Sequence, residues 1–403
     1  MNKNIKLAVA GAIFAASASV ANAGIVIPAG EWTIDINGNV NSFASYTKVK
    51  SGTAAGTGAM AGVPGTGENG DKQIGLDSGL LPSWLGFTGK TRQNDLDVEF
   101  TISLQPSSSD NGVHGDGASG TAGTKNTVLN RQTYVSFGDK SWGSIKLGKD
   151  LGVFASDAIL NDMTLLGVGQ GAGISGKATN TSNGGIGTGY IYAAWKSQIA
   201  YTTPNFNGFQ ATVALTNPDQ GFNVANVNQD RFGLEAKASY AFNANDVTGK
   251  VWVSGASYDR STSATASHTV TVGDIGANVN ANGFGLTGYY YSGKGAGTTV
   301  LGDNGFIADT STRRDSDGGY VQLTYVTPIK TKIGFAYGES NLDKGSATDT
   351  TIVKSNQRYT VGAYHPLTKH LNIVAEYNNV EAKGHNGGNA ETNTYSAGAI
   401  LFF

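Results

Sequence analysis

From Gly24 onward, segments of about ten residues with period-two hydrophobicity alternate with polar connectors rich in Gly, Ser, Thr and Asn. Segment 95–105 is the clearest: Leu96, Val98, Phe100, Ile102 and Leu104 point one way, and Asp97, Glu99, Thr101, Ser103 and Gln105 the other. Segment 231–242 repeats the pattern, with Phe232, Leu234, Ala236, Ala238, Tyr240 and Phe242 opposite Arg231, Gly233, Glu235, Lys237 and Ser239. Successive side chains of a strand lie on opposite faces, so each segment is a ribbon with one oily and one polar side.

The pattern predicts sixteen strands, at 31–47, 82–90, 95–105, 130–137, 143–149, 197–204, 208–217, 231–242, 247–260, 268–279, 283–293, 318–328, 331–339, 356–366, 371–382 and 392–403. Their connectors alternate short, as at 91–94, 243–246 and 328–330, and long, as at 51–81, 106–129, 294–317 and 341–355. A soluble sandwich has no reason to segregate loop lengths; an even-stranded membrane barrel does. The predicted fold is therefore all-β, a 16-stranded antiparallel transmembrane β-barrel. An open sheet edge in hydrocarbon leaves backbone groups unsatisfied at several kcal/mol each in order of magnitude, so the first and last strands must meet. In the last segment Tyr395, Ala397, Ala399, Leu401 and Phe403 alternate outward, opposite Thr394, Ser396 and Gly398.

The ladder stops once. A strand at Arg131–Phe137 turns through 138–143 into Ser144–Lys149, and no strand follows from Asp150 to about Lys196. Yet this stretch carries Leu151, Val153, Phe154, Ile159, Leu160, Met163, Leu165 and Leu166, too apolar for a solvated loop. We read Ala158–Leu166 as two helical turns with Ile159, Leu160, Met163 and Leu166 on one face and Asp157, Asn161 and Thr164 on the other. The expectation is a third external loop, about 150–196, folded against the inside of the wall.

Residues 1–23 have the form of a cleaved export signal: Lys3 and Lys6, an apolar run from Leu7 to Phe14, then Ala21-Asn22-Ala23. The expected barrel domain is then 24–403. No later run approaches the roughly 20 apolar residues of a membrane helix. The net charge of −2 is mild and evenly spread, which argues against nucleic acid as a partner, and the absence of cysteine excludes thiolate metal sites and disulfides. The five histidines, His114, His268, His365, His370 and His385, form no ligand spacing. Catalysis at an outer-membrane barrel would need a serine–histidine pair on the lipid face, where only His365, near a strand end, comes into question. We expect no enzyme.

The run Arg131-Gln132-Thr133-Tyr134-Val135 through Trp142-Gly143-Ser144-Ile145-Lys146-Leu147-Gly148-Lys149 resembles strands four and five of the Gram-negative general diffusion porins. Residues 197–209 are similar to the strand and turn after that family's third loop, Ser83–Gly89 to its second strand, and the terminal Tyr395 with Leu401-Phe402-Phe403 to its assembly signal. The resemblance covers essentially the whole chain after residue 23. It implies a homotrimer in the outer membrane, in contact with lipid and lipopolysaccharide, whose third loop narrows a pore passing ions and small hydrophilic solutes. It departs at Trp84 and near Ala200, where the family often carries arginine.

For the pore constriction the sequence nominates Asp157 and Asp162 on the loop, facing Arg131 and also Lys90 and Lys146 on the wall. With Tyr134 taken as outward, Arg131 and Thr133 would face the lumen. Two alternatives stay open: a substrate-selective channel of the same fold, and a non-conducting structural or adhesive barrel. No cofactor is expected. Structural calcium in external loops would fall at Asp315–Gly318 or Asn341–Asp343. The glycine pattern at 167–173 lacks the strand–helix frame of a nucleotide loop and reads as flexible inward chain.

Overall fold

A computed structural model describes residues 24–65, 70–106, 128–170, 181–217, 231–263, 266–307, 310 and 312–403. The expected signal segment 1–23 lies outside the described residues, as do His114 and residues 171–180 of the third loop.

Eighteen strands are present among the described residues. In chain order they are β1 (Ile25–Ala29), β2 (Trp32–Val49), β3 (Lys72–Asp77), β4 (Trp84–Gln93), β5 (Leu96–Gln105), β6 (Leu129–Asp139), β7 (Gly143–Leu151), β8 (Trp195–Thr202) and β9 (Phe209–Thr216). They continue as β10 (Gly233–Ala244), β11 (Val247–Ser263), β12 (Ala266–Ala281), β13 (Phe284–Lys294), β14 (Asp315–Val326), β15 (Lys332–Leu342), β16 (Val353–Pro366), β17 (Leu371–Gly384) and β18 (Asn389–Phe402). β2 and β4 to β18 are the sixteen ribbons that the alternation predicts, each antiparallel to the next, and β18 pairs back onto β2.

The two extra strands are short and were not anticipated. β1 folds back on the start of β2, and β3 lies on the same flank of β2 as β4, further along. β3 and β4 thus act as one wall ribbon broken at 78–83. Ile74 and Leu76 do alternate with polar neighbours, but over too few residues to stand out from a glycine-rich connector.

The cross-strand register explains why the wall must sit in lipid. Leu286, Leu323, Phe335, Val361, Tyr377, Tyr395, Tyr46 and Ile74 are consecutive partners across eight strands. One residue along, the same ribbons align Thr287, Gln322, Ala336, Thr360, Asn378, Thr394 and Thr47, all buried inside. A water-soluble protein rarely exposes an apolar patch beyond a few hundred Å², in order of magnitude. A belt running around a closed wall is stable only against hydrocarbon.

At one rim the hairpins turn in two residues: Asn94-Asp95, Asn245-Asp246 and Asn282-Gly283. Asn94 and Asp95 have φ of 49° and 61°, and Asn282 and Gly283 of 51° and 84°, the positive values that a tight type I′ turn demands at both positions. The closing seam is equally regular: the Ser45 and Ser396 hydroxyls lie 3.0 Å apart, those of Thr47 and Thr394 2.9 Å apart, and Gly38 N donates to Phe403 O at 2.8 Å.

The dry core is inside the barrel. The described residues between β7 and β8, 152–170 and 181–194, enter the lumen and lay Phe154, Ala155, Ala158 and Ile159 against Trp252, Tyr258, Val272, Tyr289 and Tyr320 of β11–β14. Further on, Met163, Leu166 and Val168 pack against Phe43, Ala336, Tyr364, Val374 and Ile400. The helical segment differs from expectation. A helix α1 runs Ser156–Asn161, and a separate 3-10 turn covers Met163–Leu166. The break is at Asp162, extended at φ −66° and ψ 124°, whose side chain caps the second turn by accepting Thr164 N. A short acidic side chain that can satisfy free amides competes with helix continuation, which is why a single two-turn helix does not form.

Candidate functional site

The inward loop is held at four places by charged side chains from the polar faces of wall strands. At its entry, Glu235 on β10 accepts Val153 N at 2.6 Å and Phe154 N at 2.9 Å. The same carboxylate binds Lys196 Nζ, just past the loop's exit, and Tyr258 OH, so one buried group ties both ends of the loop to the wall. Further along, Glu376 on β17 accepts Val168 N at 2.9 Å and Gly169 N at 2.7 Å through one oxygen, and Tyr364 OH at 2.7 Å through the other. A side chain at Gly167 would come within 2.1 Å of that carboxylate. The glycine pattern here lets backbone amides wrap an internal carboxylate.

Between these anchors α1 presents Asp157 to two lysines on neighbouring strands. Lys237 Nζ on β10 lies 2.9 Å from Asp157 Oδ2 and donates to Ser156 Oγ at 2.9 Å, and Lys250 Nζ on β11 binds Asp157 Oδ1. Burial alone would raise the carboxyl, but Lys237 and Lys250 outweigh it and hold Asp157 below its ordinary value. It therefore stays charged throughout the neutral range.

Asp162 points elsewhere. Its Oδ1 caps Thr164 through N at 2.9 Å and Oγ1 at 2.8 Å, and its Oδ2 accepts Tyr190 OH at 2.8 Å and Gly185 N at 3.0 Å, with Arg358 Nη2 on β16 at 3.8 Å. Arg358 and Asp162 are both almost fully buried. Asp162 is a structural knot between the loop's two halves and the far wall.

The wall residues expected to face these acids do not meet them. Lys90 sits near the rim of tight turns, 3.3 Å from Glu99, and is largely exposed. Lys146 pairs with Asp150 on its own strand and lies 4.6 Å over the Tyr134 ring. Arg131 is inside, but by another route than parity suggests. Tyr134 is the lumen-facing residue, donating to Glu99 Oε1 at 2.9 Å, while Thr133 is exposed on the outer face. The register slips between Ser103, opposite Gln132, and Leu104, opposite Asn130, leaving Arg131 as the extra residue of a bulge. A bulge re-aims one side chain, and it turns Arg131 inward to stack 4.9 Å from Trp84 and 4.1 Å from Trp195.

The partners that sequence reading missed are Lys237, Lys250, Arg358, Glu235 and Glu376. Glu235 and Lys237 stand on the polar face of segment 231–242, so their orientation was readable while their partners were not. Of the positions named for calcium, Asp317 on β14 stands opposite Asn341 on β15. Among the described residues no three His, Asp or Glu side chains converge to hold a metal.

Known proteins bear on this geometry. A family model described as Gram-negative porin matches residues 8–385. No curated protein matches the chain. Among solved structures it is similar to the outer membrane channel DcaP of Acinetobacter baumannii, at TM-score 0.66 and 15% identity over 93% of this chain and 99% of that one. It is also similar to OmpF of Salmonella typhi in complex with daunomycin, at TM-score 0.59 and 13% identity over 94% and 100%. A third likeness is the trimer form of OmpT, an outer membrane protein of Vibrio cholerae, at 0.55 and 15% over 92% and 99%. At such identities these likenesses are of fold.

Proposed function

Because the chain belongs to the Gram-negative porin family, and is thus an outer-membrane diffusion channel and not an enzyme, we propose that its constriction is the ring of Asp157, Lys237 and Lys250 closed against β7–β9. The observation that carries this is the placement of α1: a helix welded to one side of the lumen and salt-bridged to its margin at β10 and β11. Ions and small hydrophilic solutes pass down their gradients through the water left beside it, and the ring sets their size limit. Of the nominated residues, Asp157 belongs to this ring, Lys146 and Arg131 line the wall beside it, Asp162 holds the loop, and Lys90 lies outside it.

The protein acts as a homotrimer in contact with outer-membrane lipid and lipopolysaccharide, after removal of residues 1–23. The trimeric Vibrio cholerae neighbour supports the first of these, and the apolar outer belt the second. No resident cofactor enters this reading. Single-channel recording with bulky variants tests the ring. Lys237→Trp lowers conductance and the largest sugar that swells proteoliposomes, and Lys90→Trp changes neither. Equal effects at both positions overturn the assignment. A correctly folded barrel that gives no conductance steps supports the structural or adhesive alternative.

A further inference from the structure

Solvent does not see the charges at mid-lumen evenly. In the β7–β11 arc three lysines are more reachable than their partners: side-chain exposure is 33% for Lys146 against 12% for Asp150, and 20% and 19% for Lys237 and Lys250 against 4% for the single Asp157 between them, while Lys196 is buried with Glu235. Two cations share one anion there, which leaves a surplus positive charge at the helix. In register with Lys146 and Lys237, β8 and β9 turn Ala200, Thr202, Thr212 and Ala214 inward, and the acid nearest in register, Glu235, is taken by the buried Lys196, so neither strand offers a free carboxylate to offset it.

The other acids at this level are closed off. Glu235, Asp162 and Glu376 are buried and take the protein donors described above. Asp274 accepts Ser254 N at 2.8 Å, Ser254 Oγ at 2.7 Å and Tyr289 OH at 3.1 Å. Acids that solvent does reach inside the wall, Asp35, Asp77, Asp97 and Glu99, lie on β2, β3 and β5, outside the arc. Asp97 and Glu99 have Arg92 and Lys90 within 2.7 and 3.3 Å.

We propose that the channel prefers small anionic solutes, and that Lys237, Lys250 and, more weakly, Lys146 determine this specificity. The proposal rests on the reading that the Asp157 ring is the narrowest point. A lysine whose partner is shared or hidden still attracts anions from the passage, whereas a carboxylate enclosed by two ammonium groups repels them little. Salt screens such a field within about 8 to 10 Å, so it biases flux rather than excluding cations.

Reversal potentials of the purified protein in planar bilayers under a KCl gradient test it. Chloride is expected to permeate about two- to fivefold better than potassium, the scale of a screened unit charge near bulk water. Asp157→Asn raises that ratio, because it removes the only acid of the ring. Lys237→Gln with Lys250→Gln brings it to or below one by leaving Asp157 uncompensated. Should the double variant not fold, either single change and Lys146→Gln each lower the ratio by a smaller factor. A wild-type channel that is unselective or prefers potassium overturns the proposal, as does an Asp157→Asn channel shifted toward potassium. Failure of the ring itself reads differently: Lys237→Trp then leaves conductance unchanged whatever the ion preference.

Discussion

The two sides of the lumen use the same residue types to opposite ends. Along β14–β18, Asp162 meets Arg358 and Glu376 meets loop amides and Tyr364, with all of these groups buried. Along β7–β11, Glu235 and Lys196 are sealed in the same way, but Lys146, Lys237 and Lys250 reach water past hidden carboxylates. Charge sealed on both sides holds the loop, and charge sealed on one side acts on what passes. Counting inward ionisable groups would confuse the two, because the difference lies in which partner solvent can touch.

The largest effect should come from breaking the sealed side. Arg358→Leu leaves Asp162 buried without its cation, a loss of about 3–5 kcal/mol. It should appear as a lower melting temperature of the folded barrel, with larger and noisier conductance steps as the loop detaches. Glu376→Ala strips the acceptor from Val168 N, Gly169 N and Tyr364 OH. Each unsatisfied donor costs about 1–3 kcal/mol, reduced where water enters. Melting should fall again, whereas Glu376→Gln, which keeps a carbonyl acceptor, should recover part of the loss.

Acid should sharpen the contrast on the open side. The folded-state value of Asp157 lies below its unfolded one, so its ion pairs contribute fully above the ordinary carboxylate value of about 4 and are lost only as pH falls through the lower folded value. Conductance steps should be the same at pH 7 and pH 5 and become unstable only below about 4. A change already complete at pH 5 would place the responsible group elsewhere. The smallest effect belongs to Lys90→Gln, which removes an exposed pair worth about 0–1 kcal/mol. Neither melting nor reversal potential should move measurably.

The wall was readable because a membrane barrel obeys one rule at every strand: period two, with a tight turn at one rim. Segments such as 95–105 and 231–242 carry that rule in their side chains, and only the short, interrupted β1 and β3 escaped it. The interior was less readable for three local reasons. Tyr134, whose apolar ring reads as lipid-facing, points into the lumen with Thr133 outside, and the bulge at Arg131 reverses the parity there and brings that side chain inside. At Asp162 a capping side chain broke a helix whose apolar spacing looked continuous. The pairing of Asp157 with Lys237 and Lys250 joins residues some eighty to ninety positions apart, and no periodicity records which polar face a loop will touch.

The closing seam also governs the order of events in assembly. Ser45 and Ser396 meet although they stand 351 positions apart along the chain, so the ribbon delivered first waits for the one delivered last. Until then the growing sheet carries two sticky margins, and long-range pairing of this kind is slow and prone to aggregation. The polypeptide must therefore pass through an unclosed intermediate, and whatever delays its final ribbon lengthens that exposure for all the others.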